Sequence, residues 1–339
     1  MPPPRLGALW LWLLLITASL AARRVAVETL HRLRGPPSNT SPFARPDLLL
    51  AARHGRRVIV HHLPGAAPPL DGGLCQLAMR NGERLPRDPV SGDAAPCSLP
   101  GASGVEHALS SGTVSEQCVA LRGQEAYSFL ELDAGLSNTP LFDPRALYVL
   151  VMRPPKERYL EEIDSLTEKQ LRRLLGNASS GHPSRLDVLK ALSVAPHGIT
   201  PRQLRDNAMV RHLAGVTARR MPRRSISQNH LAGAVARLAH FDALLLMNAT
   251  QRNVAQLAQV LGWRFWDVTR GDRRREAGTD PYSEHVATLS REESMYLDSA
   301  VVYDDMLYEV ATAMADEARK RRGRPMERPA GASCELPSV

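Results

Sequence analysis

Arg153 and Arg158 are the side chains that residue type and spacing best suit to hold an anion. The run Met152-Arg153-Pro154-Pro155-Lys156-Glu157-Arg158 puts a guanidinium where an apolar stretch stops and a proline-started helix is expected. A guanidinium fork can grip a phosphate through parallel hydrogen bonds. Arg158 follows a little over one helical turn later. The same two arginines also read as surface groups paired with Glu157, Glu161 or Glu162. A second candidate lies at His61-His62-Leu63-Pro64, followed by Gly65, Gly72 and Gly73. Strand, glycine-rich loop and helix together let backbone N–H groups cradle phosphate. Here Pro64, Gly72 and Gly73 would shape the loop and His62 would face it. The Gly-Lys-Ser/Thr ending of a nucleoside triphosphatase is missing. Glu131, at the end of Phe129-Leu130-Glu131, and His107 are the candidates for a general base. Each also reads as an ordinary loop residue. No CxxC pair and no histidine spacing suggests a metal, so none is expected.

These groups need strands that end at a common edge. Arg57–Leu63 is a β-branched run. Ala126–Leu132 and Ala243–Met247 are further strand candidates. Ala146–Met152 is continuously apolar, as a parallel strand covered on both faces should be. Helices are expected over Leu74–Asn81, from Pro155 through Leu175, and over Arg185–Leu192, Pro201–Ala218, Asn229–His240, Arg252–Leu261 and Ser290–Arg322. In the last, Met295, Leu297, Val301, Val302, Met306, Leu307, Val310 and Met314 form the apolar side. Leu85–Ser115 is rich in Pro, Gly and Ser and reads as irregular. Strands alternating with helices give an α/β fold with a mainly parallel sheet. Ligands of such folds bind beyond the carboxyl ends of the strands.

The 339 residues carry a formal charge of +8 and are 43% hydrophobic, enough for one sizeable core. The basic excess suits an anionic partner and clusters at Arg219–Arg224, Arg270–Arg275 and Arg319–Arg324. An uncharged apolar run, Leu6–Ala22, lies between Arg5 and Arg23-Arg24. It reads as a signal anchor in preference to a cleaved signal peptide, although Ala18, Ala21 and Ala22 would permit cleavage. Sequons at Asn39, Asn177 and Asn248 agree with lumenal exposure and argue against nucleic acid as a partner. The four cysteines allow disulfides. Cys97 and Cys118 are the favoured pair, and Cys75 reads equally as a buried thiol.

The ordered set resembles the Golgi carbohydrate sulfotransferases of the heparan-sulfate type. Val60-His-His-Leu-Pro, continued by Gly72-Gly-Leu-Cys, is similar to their first motif, His-Ile-Pro-Lys, Thr or Ser, Gly-Gly-Thr. Val149–Glu161 looks like their second, an apolar strand, Arg-Asp-Pro, then Arg and Ser. Leu77-Ala78 with Asn81-Gly82-Glu83, Asp206–Gly215, Phe241-Asp242 and Val254–Trp263 follow in family order. The sequence departs from the pattern at Gly65 (Lys expected), Pro154 (Asp) and Glu161 (Ser).

The resemblance implies a P-loop-nucleotide-hydrolase-like parallel sheet flanked by helices, in one globular domain spanning 57–322. Residues 1–5 would form a short cytoplasmic end, 6–22 the transmembrane anchor, 23–56 a stem and 323–339 a disordered tail. The expected protein is a single-pass type II Golgi glycoprotein with its catalytic domain in the lumen. It would move a sulfonate from PAPS to a hydroxyl of an anionic or neutral glycan. His62, Pro64, Gly72, Gly73, Arg153 and Arg158 would bind the donor. The alternative is an inactive lumenal relative that binds anionic glycans.

Overall fold

A computed structural model of the chain describes residues 57–63, 73–85, 103–124, 126–132, 135–143, 145–176, 183–196, 199–201, 204–247, 261 and 281–320. The anchor, the stem, all three sequons, Pro64, Gly72, Cys97, Cys334, the body of the expected helix Arg252–Leu261 and the tail lie outside these residues.

Four parallel strands form one sheet: β1 (Arg57–His62), β2 (Phe129–Leu132), β3 (Ala146–Met152) and β4 (Ala243–Leu246), in the order β2-β1-β3-β4. All seven residues of β3 are buried. Each such Val or Leu contributes ~1.5–3 kcal/mol relative to exposure. At the amino end of the β3–β4 pair, Asp242 accepts from the Tyr148 N–H at 2.7 Å and donates its own N–H to the Tyr148 carbonyl at 2.8 Å. The chain is thus an α/β protein with a parallel sheet and flanking helices.

Between β1 and β2 lie α1 (Gly73–Arg80), α2 (Ser103–Ser111) and α3 (Val114–Arg122). The expected irregular stretch Leu85–Ser115 therefore holds a whole helix and the start of another. A capping box starts α3: Thr113 accepts from the Glu116 N–H while Glu116 reaches back to the Thr113 N–H. Gln117 of α3 is almost fully buried. Its amide donates to the Gly112 carbonyl, Ser137 and the Thr139 carbonyl, each at 3.0 Å, and accepts from the Leu141 N–H at 2.9 Å. It thereby pins the 135–143 segment to the helix.

After β3 come α4 (Pro155–Asp164), α5 (Glu168–Leu175) and α6 (Arg185–Val194). The single helix expected over Pro201–Ala218 is broken into α7 (Ala208–Ala214) and α8 (Val216–Arg220). The break falls at Gly215, whose φ of 104° suits glycine alone. Helix α9 (Gln228–Leu238) leads into β4. The described chain closes with α10 (Pro281–Ala287) and the 30-residue α11 (Arg291–Lys320). Leu297, Ala300, Val301, Asp304, Leu307, Ala311 and Met314 make the buried stripe of α11, whereas Met295 is exposed. Met295 thus falls off the face to which the apolar pattern assigned it, because it sits two residues before Leu297 and points roughly 200° away around the helix. No described helix is long and apolar enough to cross a membrane.

Candidate functional site

The carboxyl ends of β2, β1 and β3 lie side by side. Val60 is in register with Glu131 and with Val149, and His62 with Val151. Side chains alternate along a strand, so Val60, His62, Glu131 and Val151 share one face of the sheet. His62 Nε2 stands 3.9 Å from Glu131 Oε1, with His62 buried and Glu131 partly open. His61 points to the opposite face, where its ring packs on Tyr148 and against the edge of Phe241. The two adjacent histidines are therefore split between aromatic core and strand-end site.

Arg153 leaves the end of β3 two residues past Val151. It is only 3% exposed, and its Nη1 hydrogen-bonds Glu161 Oε2 on α4. Pro155 starts α4, and Pro154 gives it no side-chain cap. Glu162 belongs to the same cluster. Burial raises its carboxyl above the ordinary range, opposed by Arg158 and Arg153 and reinforced by Glu161.

Arg158 turns away from the strand ends into the interior. It is fully buried and lies 3.6 Å from Asp304 of α11. Asp304 also accepts from the N–H groups of Met209 (3.1 Å) and Val210 (2.8 Å) at the start of α7. Burial pushes the Asp304 carboxyl up to about 6 despite Arg158 and these two N–H groups. Asn207, left-handed at φ 50°, completes the joint. Its side-chain oxygen accepts from the Tyr303 N–H at 2.8 Å, and its own N–H donates to the Ala300 carbonyl at 2.7 Å. Beside it, Arg211 is saturated by the carbonyls of Asp206, Ala218, Met221 and Pro222 and by the Asp206 carboxylate. Asp304 was missed by reading for strand ends. Its signal in the sequence is a carboxylate on the apolar stripe of α11, three residues after Val301 and three before Leu307.

His107 is exposed on α2, where its ring meets the Ser111 hydroxyl one turn on. Gly73 is the first residue of α1. Cys75 on α1 and Cys118 on α3 are buried, and both are disulfide-bonded. Among the described residues, no group of three His, Cys, Asp or Glu could hold a metal.

The arrangement can do two things chemically. Glu131, with His62 beside it, can take a proton from a hydroxyl brought to the strand ends. Arg153 can hold an anion, provided that Glu161 yields it. No family model matches this chain, and no curated protein matches it.

Proposed function

We propose that the chain is a lumenal sulfotransferase that transfers the sulfonate of PAPS to a hydroxyl of a glycan. The observation that carries the reading is Glu131 on β2 beside His62 on β1, with β1 in turn next to β3, which leads into Arg153. A general base and an anion-holding group belong together at the carboxyl edge of such a sheet. The order β2-β1-β3-β4, with Gly73 opening the helix after β1, supports the finer reading of a P-loop-like sheet. Disulfide bonds at Cys75 and Cys118 support an oxidising compartment, consistent with a Golgi enzyme held by an N-terminal anchor. In this reaction Glu131 accepts the acceptor's proton while the acceptor oxygen bonds to sulfur. The bond from sulfur to the bridging phosphate oxygen breaks, leaving adenosine 3′,5′-bisphosphate. Arg153 is the residue suited to the nucleotide's phosphate.

A second reading, an inactive relative that binds anionic glycans, is favoured by one observation. Both arginines of the phosphate motif are engaged internally, Arg153 by Glu161 and Arg158 by Asp304. Calorimetry of adenosine 3′,5′-bisphosphate on the full chain in detergent, beside Arg153→Ala, separates the two. Micromolar binding that the variant loses is the expected result. Absence of binding at millimolar ligand to a folded chain would remove the enzyme reading and leave the second.

A further inference from the structure

We infer that Glu161 is a built-in counter-ion that competes with external anions for Arg153, and so sets which ligands the β3 end accepts. The guanidinium is nearly enclosed, and its Nη1 is bonded to the Glu161 carboxylate eight residues on. Glu161 lies ~9 Å along α4 from Pro155, so the arginine side chain reaches along the helix that follows it rather than off the strand. Glu161 itself remains about a third exposed, so the bond is open to challenge from solvent. The surrounding charge does not favour an entering anion. Arg153 and Arg158 face three carboxylates: Glu161, Glu162 and Asp304. Of these two ion pairs, that of Arg153 involves a carboxylate that can move into water, since Arg158 and Asp304 are both fully buried. A dianion arriving at Arg153 must therefore displace Glu161 or accept its repulsion. A ligand that presents hydroxyl groups meets no such conflict and can hydrogen-bond the carboxylate. The pair accordingly ranks ligands by charge: a phosphate or sulfate dianion binds Arg153 at the cost of displacing Glu161, so that only one with further contacts elsewhere binds tightly.

The inference rests on reading the β3 end as an anion site, and it does not require sulfonate transfer. The test is calorimetric titration of inorganic sulfate into the full chain as wild type, Glu161→Gln and the double variant Arg153→Ala/Glu161→Gln. Glu161→Gln is expected to tighten sulfate binding at least ~10-fold, since like charges at ~4 Å repel appreciably even in high dielectric. The double variant is expected to lose that gain. Sulfate bound no more tightly by Glu161→Gln overturns the proposal, as does a gain that survives loss of Arg153. Glu161→Ser, with fold followed by thermal melting, takes the place of the glutamine variant if that one fails to fold. Adenosine 3′,5′-bisphosphate keeps the two readings apart. A sulfate gain with no preference for the nucleotide sustains Glu161's role and defeats sulfonate transfer from PAPS. Tight nucleotide binding unchanged by Glu161→Gln does the reverse.

Discussion

Glu131 is marked out by a buried histidine at its side. His62, largely shielded from water, lies 3.9 Å away, close enough to act on the carboxylate's charge when the imidazole is protonated. Glu131→Gln keeps the shape and removes the base. With sulfonate transfer assayed on a glycan acceptor, kcat should fall ~10²–10⁴-fold, the usual share of general-base catalysis, with donor affinity by calorimetry little changed. An unchanged kcat would take the role from Glu131. At this scale Glu131, His62 and Arg153 were legible because strand ends can be found from apolar runs. The Arg153–Glu161 pair was among the pairings the sequence offered, but Asp304 as the partner of Arg158 was not. Glu161 and Asp304 both engage arginines, but one lies eight residues from its partner and the other on the far side of the sequence. Nothing local distinguishes a phosphate-seeking arginine from one already committed to a carboxylate.

At the scale of elements, β3 was legible to the residue, since seven consecutive apolar positions leave no choice of face. Helices α2 and α3 were harder. Their glycines and serines suggest irregular chain, and only the Thr113–Glu116 capping box announces an ordered start. The division of α7 from α8 was also hidden, because the apolar period runs across it. Gly215 makes that division. A Cβ added there would meet Asn138 Oδ1 at 2.7 Å and the Ser137 carbonyl at 2.9 Å, at a φ that side chains avoid. Gly215→Ala should therefore destabilise the protein by ~1–3 kcal/mol or more, read as a lower midpoint in urea. A midpoint equal to wild type would mean that the two helices can join without cost.

For the molecule as a whole, the α/β class followed from the alternation of strand and helix, but the strand order did not. Order depends on which edges pair, and the composition of a strand does not say which neighbour it takes. The long-range electrostatics were also invisible. On α11, burial raises Asp305 to about 7, opposed by Lys156 and reinforced by Asp304, Asp298 and Glu309. Asp304, pushed up to about 6, stands next to it. A carboxyl whose folded pKa exceeds its unfolded value binds its proton more tightly in the native state. The stability it contributes is fully present below the unfolded value near 3.8 and is lost as pH rises through about 6 to 7. These two groups should make the fold more stable at pH 5.5 than at pH 7.5. Asp305→Asn should raise the melting temperature at pH 7.5 and flatten its slope between those values. A steeper slope in the variant would contradict the assignment.

The joint between α7 and α11 also orders events in time. Arg158 and the first turn of α7 are synthesised well before Asp304, which lies 146 residues after Arg158. At ordinary translation rates that is roughly 7–30 s. Throughout this interval Arg158 lacks the Asp304 carboxylate that lies 3.6 Å from it in the folded chain, and losing one partner of a buried pair is strongly unfavourable. The joint of Asp304 with Arg158 and with the Met209 and Val210 N–H groups therefore forms only after α11 has been made.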